Sequence, residues 1–308
     1  MITPGEWAGK SIVIFGCGYL GGALAREAVG RGCAVTALTR NPKTAEFLGR
    51  VGVGKVVKAS LEDHAWHRLV DNAQDFAVNC VGSGGGGEAG YRRSYLDGQR
   101  SILRWMANGR VGTVLYTSST SVYPQGGGEL VLEESAGAEP GSWRGQIIRA
   151  SERLLEAGMA GVGDGRWFIL RLAGLYGPGR HRFLDLCLGA REEIPPDSDV
   201  HLNLIHRDDA CSAIAAALEA PSHIRNEILN VSDGSPHRKS KIAAWVAEIP
   251  DRPKPEGSSH KASPRSTSRQ APDRRISNEK IRDLLGWSPK YPSFREGYRD
   301  ILRSSVVQ

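Results

Sequence analysis

Three glycines, Gly16, Gly18 and Gly21, stand in G-x-G-x-x-G spacing directly after the short apolar run Ser11–Phe15. In that pattern Gly16 admits a tight turn off a strand, Gly18 lets a pyrophosphate approach the bare backbone, and Gly21 lets the following helix pack close to the strand. The helix N-terminus then offers free N–H groups and a positive dipole end to phosphates, with Tyr19 and Leu20 inside this cradle. The next apolar run, Ala34–Leu38, stops at Thr39, Arg40 and Asn41, with no acid among them. A carboxylate there would hold a ribose 2′-hydroxyl, whereas the Arg40 guanidinium suits a 2′-phosphate. The spacing predicts a bound dinucleotide and the charge predicts NADP over NAD. The competing reading of Arg40 is a solvated surface arginine.

Other chemistry-bearing residues gather at later strand ends. Val81 and Gly82 open the run VGSGGGG, which reads as a flexible flap beside the cofactor or substrate, or only as a floppy loop. Ser118 and Ser119 begin SSTSVY, with Tyr123 at its end, and Arg180 closes LAGLYGPGR. Ser118, Val81 and Gly82 join the expected cofactor contacts. Arg180 reaches either an anionic substrate or a solvent-facing carboxylate. His181 and His206 have the chemistry of general bases. His206 is read instead as bonding the backbone beside Asp208 and Asp209, which are expected to cap the helix that follows.

The elements that must position these residues alternate. Strands are expected at Ser11–Phe15, Ala34–Leu38, Lys55–Ala59, Phe76–Val81, Thr113–Thr117 and Trp167–Leu172. Helices are expected after the glycine turn, over Pro42–Gly49, in SLEDHAWHRLV opened by Ser60, over Tyr95–Ala107 and over Gln146–Ala157. This order is an α/β chain with a Rossmann-type, doubly wound parallel sheet. Such sheets bind ligands beyond the carboxyl ends of their strands, where the unusual sequences lie. Past Gly177 proline and charge break the rhythm. HLNLIHRDDACSAIAAALEAP then restores a strand and an apolar helix, NEILNVSD reads as a further strand, and ISNEKIRDLLGW as a helix capped by Ser277 or Asn278.

The totals exclude several classes. A chain of 308 residues buries a sizeable core. No apolar run is long enough for a membrane span, and the N-terminus lacks the pattern of a signal peptide. Five scattered cysteines without a C-x-x-C pair predict a reduced, cytoplasmic setting, with neither disulfides nor a metal. The net charge of +6 gathers largely between His237 and Arg275. That segment has no interleaved aromatics, so a solvated basic loop is expected over 252–273 rather than a nucleic-acid or membrane partner.

Taken together, GCGYLGG, SSTSVY, LRLAGLYGPGR, LIHRDDA, ILNVSDG and the closing RISNEKIRDLLGW resemble the extended short-chain dehydrogenase/reductase family, which is epimerase/dehydratase-like. The resemblance covers nearly the whole chain. It implies a Rossmann lobe, residues 1–175 with 203–232 returning to it, and a small discontinuous substrate lobe, residues 176–202 and 233–308. It also implies a small-molecule substrate and allows a homodimer.

The departures from the family pattern concern the chemistry. Family members use a Tyr-x-x-x-Lys pair on the helix after the fifth strand. Here WRGQIIRASERLL puts Arg144 and Ile148 at those positions, and isoleucine can neither stabilise a phenolate nor hold a ribose hydroxyl. Ser119 falls at the family's catalytic serine. Tyr123 is either a surrogate acid or a packing residue, and Tyr95 either faces the site or fills space. Ser60 replaces an adenine-contacting acid. Leu202 replaces an arginine that grips nucleotide-sugar diphosphates, which argues against a sugar epimerase or dehydratase. The function implied is an NADP-dependent oxidoreductase acting on a small carbonyl or hydroxyl substrate through Ser119 and Tyr123. The alternative is a non-catalytic NAD(P)-binding protein, and a weaker one, with the Leu202 position against it, is a sugar epimerase or dehydratase.

Overall fold

The computed structural model describes residues 7–137, 141–160, 165–189, 194, 196–250 and 272–306. Seven parallel strands form one sheet: β1 Ser11–Phe15, β2 Ala34–Thr39, β3 Lys55–Lys58, β4 Ala73–Asn79, β5 Arg110–Ser119, β6 Arg166–Leu172 and β7 Glu227–Val231. Their spatial order is β7-β6-β5-β4-β1-β2-β3. The chain winds outward from β1 in both directions, so the crossover between β1 and β4 opens a crevice at their carboxyl ends.

Side-chain alternation along the strands builds two cores. Ile12 and Ile14 face one side, where Leu24, Ala25 and Ala28 of α1 (Tyr19–Gly30) pack with Leu48 of α2 (Pro42–Arg50). Val13 and Phe15 face the other, against Trp66, Ile102, Trp105 and Leu155. Strands buried on both faces read as near-continuous apolar runs, which is why they were visible without a structure. Helix α3 runs over 87–106 and includes a π-helical turn at Arg92–Asp97. Helix α4 is Trp143–Met159 and α5 is Arg207–Leu218.

Several local expectations are corrected. SLEDHAWHRLV forms only a short 3₁₀ turn, His64–Arg68, capped by Asp63 rather than Ser60. Trp66 pins it: the ring is fully buried, 5.2 Å from Phe15, and its indole N–H donates to the Leu61 carbonyl. Strand β4 stops at Asn79 because the Asn79 Oδ1 accepts the Val81 N–H at 3.1 Å and turns the chain. Helix α3 begins eight residues earlier than expected, at the last glycine of the run. Helix α4 begins at Trp143, where Ser142 Oγ accepts the Gly145 N–H. Helix α5 is capped by His206 Nδ1, which accepts the Asp208 N–H. Asp209 instead accepts the backbone N–H groups of Lys290 and Tyr291 and so ties in a distant segment.

A third apolar cluster joins Tyr176, Leu184, Ile242, Val246, Phe294 and Tyr298, outside the main sheet. Ile281 and Trp287 belong to the first core, so the segment around helix Glu279–Leu285 packs back onto the sheet lobe. The basic stretch expected as a loop lies outside the described residues except for Pro272 and Asp273. Asp273 pairs with His201 at 2.6 Å. Among the described residues, no helix is long and apolar enough to cross a membrane.

Candidate functional site

The carboxyl ends of β1 to β6 open on one crevice of about 560 Å³. Its floor is the glycine turn. Gly16 has φ +78°, and a Cβ there would lie 2.6 Å from the Val81 Cα. No side chain fits between these two backbones. A Cβ on Gly21 would meet the Gly16 carbonyl at 2.6 Å, so α1 seats directly on the turn. Gly18 and Gly82 differ: a Cβ on either meets nothing within 4 Å. Their bare backbone lines the open space. No acid stands in the first turn of α1, so its amides and dipole face the crevice uncompensated. These features fit a dinucleotide pyrophosphate lying across the turn.

At the β2 end Arg40 is exposed, lines the crevice with Asn41 and Thr44, and has no carboxylate partner among the described residues. Its guanidinium lies against Gly84 of the glycine run. Gly84 to Gly87 all have positive φ, so this turn is specific to glycine, and any side chain at Gly84 would displace Arg40. Toward β3 the wall is Ala59, Leu61 and Glu62. The sequence pointed to Ser60 as the position of a missing acid, but an acid two residues later reaches the wall. Only the turn after β3 reveals this.

Ten of the eleven residues proposed from the sequence behave as a group. Gly16, Gly18, Tyr19, Leu20, Arg40, Val81, Gly82, Ser118 and Ser119 all line the crevice, and Gly21 supports it from below. Tyr123 does not. It is 2% exposed, its hydroxyl donates to Asn230 Oδ1, and it accepts from Arg171 at 3.0 Å. The surrogate-acid reading of Tyr123 is therefore corrected. The 3₁₀ turn Thr120–Val122 carries its ring away from the crevice into a buried polar network.

That network underlies the β5 end. Glu152 on α4 is fully buried and takes both Nε and Nη2 of Arg171, at 2.9 and 2.8 Å. It also accepts the Ser118 hydroxyl at 2.5 Å and Arg149 Nη1 at 2.8 Å. Ser118 thus spends its proton on Glu152. Ser119 Oγ accepts the Ser121 N–H at 3.1 Å, and its own proton has no acceptor among the described residues. Of the two serines, Ser119 is the one that can donate into the crevice.

Helix α4 carries no phenol or ammonium toward this point. Arg144 stacks on Trp143 and Tyr91. Ile148 is buried with Val122, Tyr123 and Ile276. Two tyrosines from other elements line the crevice. Tyr19 donates to the Pro178 carbonyl at 3.1 Å and lies near the guanidinium groups of Arg180 and Arg207. Burial pushes its phenol up to about 12. Tyr95, half-buried on the π-helical turn of α3, is the second. Arg180 lines the same wall and has no carboxylate partner among the described residues. Neither His181, paired with Asp185 at 2.7 Å, nor the fully buried His206 lines the crevice.

Comparison with known proteins agrees with this geometry. The profile of the NAD dependent epimerase/dehydratase family matches residues 12–232. Protein YeeZ of Escherichia coli (strain K12) is 29% identical over 227 residues, 70% of this chain and 77% of that protein. A 3-diazoavenalumate denitrifying reductase of Streptomyces sp is 28% identical over 188 residues, 55% of this chain and 59% of that protein. The fold matches MoeE5, solved in complex with UDP-glucuronic acid and NAD, with a TM-score of 0.78 at 21% identity over 96% of this chain and 99% of that one. The matching profile spans the glycine turn, the serine-bearing strand end and the whole parallel sheet, and the chain belongs to the NAD-dependent epimerase/dehydratase family.

Proposed function

We propose that the chain is an NADP-dependent oxidoreductase acting on a small carbonyl or hydroxyl substrate. The observation that carries this reading is Arg40: an exposed guanidinium on the crevice wall with no carboxylate at the β2 end. When bound, the dinucleotide supplies or accepts a hydride. The turn amides around Gly16, Gly18 and Gly21 hold its pyrophosphate, and Arg40 meets its 2′-phosphate. Val81, Gly82 and Ser118 line the middle of the crevice. Ser119 offers its proton to a carbonyl oxygen. The substrate side is where Arg180 meets the crevice, next to the apolar cluster of Tyr176, Leu184, Phe294 and Tyr298 outside the sheet.

Leu202 packs partly buried against that apolar cluster, which disfavours a nucleoside-diphosphate sugar such as the one MoeE5 holds. The reductase named among the relatives supports hydride chemistry. Five unpaired cysteines suit a reducing, cytoplasmic compartment. A second reading, a protein that binds NADP without turnover, is favoured by Arg144 and Ile148 standing where the family has its acid–base pair. Loss of a general acid costs about 10²- to 10⁴-fold in rate.

Titration by tryptophan fluorescence tests the cofactor. NADPH is expected to bind more tightly than NADH, and Arg40→Ala to weaken NADPH about 10- to 30-fold, as the loss of a charge-assisted hydrogen bond predicts. Equal affinities that Arg40→Ala leaves unchanged would defeat the NADP assignment. NADPH absorbance followed against aldehydes, ketones and quinones tests the chemistry. Tight binding without turnover would favour the binding protein.

A further inference from the structure

We propose that Tyr95 is the proton donor of this site, acting beside Ser119 with Arg180 as its charge partner. The proposal rests on the oxidoreductase reading above. A carbonyl reduced by hydride needs a proton on its oxygen, and helix α4 has no group to give one. The position that would hold the family's lysine, Ile148, lies in an apolar cluster against which Tyr91 and Tyr95 pack. A phenol from the neighbouring helix therefore reaches the region the missing pair leaves apolar.

Of the two crevice-lining phenols, Tyr19 is engaged by the Pro178 carbonyl. The Tyr95 hydroxyl makes no hydrogen bond among the described residues, and the ring is half-buried at the crevice wall. Its backbone is firmly held. The Tyr95 carbonyl accepts the Ser151 hydroxyl of α4 at 2.9 Å, and the adjacent Ser94 hydroxyl donates to the Ser83 carbonyl at 3.2 Å. The π-helical turn over Arg92–Asp97 widens α3 at this place, a distortion that recurs at functional sites.

The charge state suits an acid. Burial, with Tyr91 adding to it, pushes the Tyr95 phenol up to about 12, and the Arg180 guanidinium pulls against that rise. The phenol is protonated at neutral pH, and Arg180, which lines the same crevice, favours a phenolate there. As the carbonyl carbon gains a hydride from the reduced dinucleotide, its π pair moves to oxygen and takes the Tyr95 proton. Water returns a proton to the phenolate, so one hydride and one proton enter the substrate and the enzyme is restored.

The test compares wild type, Tyr95→Phe and Tyr91→Phe, with NADPH and the probes 4-nitrobenzaldehyde and 9,10-phenanthrenequinone. Tyr95→Phe is expected to keep its NADPH affinity within about twofold and its KM within about threefold, while kcat falls about 100-fold or more. Tyr91→Phe is expected to keep kcat within about twofold, as a packing neighbour does. Crystals holding NADP⁺ and 4-nitrobenzaldehyde are expected to place the aldehyde oxygen about 2.6–3.2 Å from Tyr95 Oη. A Tyr95→Phe kcat close to wild type, an equal fall in Tyr91→Phe, or an aldehyde oxygen turned away from Tyr95 overturns the assignment while leaving the oxidoreductase reading standing. A wild type that binds NADPH and reduces neither probe overturns both.

Discussion

Glutamate 152 is the residue whose loss should cost the fold most for the smallest change in shape. Glu152→Gln keeps the volume and opens no cavity, so it isolates the charge. Arg171, 1% exposed, then loses its acceptor at either Nε or Nη2, because the amide keeps one of the two oxygens, while Nη1 keeps the Tyr123 hydroxyl and the Glu133 carbonyl at 2.8 Å. The new amide N–H₂ also points a donor at guanidinium donors. Arg149 is spared, because Glu156 still accepts from it at 2.9 Å. Breaking a buried pair from one side costs about 3–5 kcal/mol, and the retained Nη1 bonds place this case near 3. Unfolding entropy of about 2.1 cal/mol/K per residue gives about 0.65 kcal/mol/K for a chain of 308 residues. The melting midpoint should therefore fall by about 5 °C. Calorimetry of wild type, Glu152→Gln, Arg171→Gln and the double variant measures it, and the double should lose less than the two singles together. A Glu152→Gln midpoint within about 1 °C of wild type, or strict additivity, would refute the claim that this carboxylate is held by compensating buried charge.

Three further outcomes follow from the same geometry. Gly16→Ala should lower the melting midpoint, because its Cβ meets the Val81 backbone at 2.6 Å, whereas Gly18→Ala should melt like wild type yet bind NADPH more weakly. A Gly18→Ala protein with unchanged affinity would mean that phosphates do not approach that backbone. Ser119→Ala should leave the fold intact and lower kcat on any reduced carbonyl by about 10-fold or more, the effect of losing one oriented donor. Burial lowers the His206 imidazole below its usual range, so the native state binds fewer protons than the unfolded chain between that lowered value and about 6.5. Stability should then be full above about 6.5 and fall as pH drops through that window. His206→Asn, which keeps a capping acceptor, should flatten the slope in urea titrations at stepped pH.

The first half of the chain was legible because its strands are buried on both faces. Ile12 to Phe15 read as an unbroken apolar run, and the glycines behind them obey a spacing that only backbone contact explains. The same local logic found Arg40, since a cation at a strand end needs no partner to be noticed. It failed where a side chain from elsewhere decides the local shape. Trp66 locks a 3₁₀ turn where periodicity pointed to a helix, and Asn79 ends a strand early by capping Val81.

Composition, the alternation of strands and helices, the glycine turn and the absence of tyrosine and lysine from α4 were properties of the sequence alone, because each depends on residues close together in the chain. Which hydroxyl faces the crevice was not. Ser118 and Ser119 are neighbours in sequence, but Glu152, brought in by α4, takes the proton of one and leaves the other free. Tyr123 looked available until Arg171 on β6 and Asn230 on β7 drew it into the interior. Tyr95 could be read from the sequence as facing the site or as filling space, and its place on the crevice wall, on the π-helical turn, is a matter of tertiary structure. A hydrogen-bond partner far along the chain is chosen by packing, and the chemistry of a hydroxyl depends on that partner.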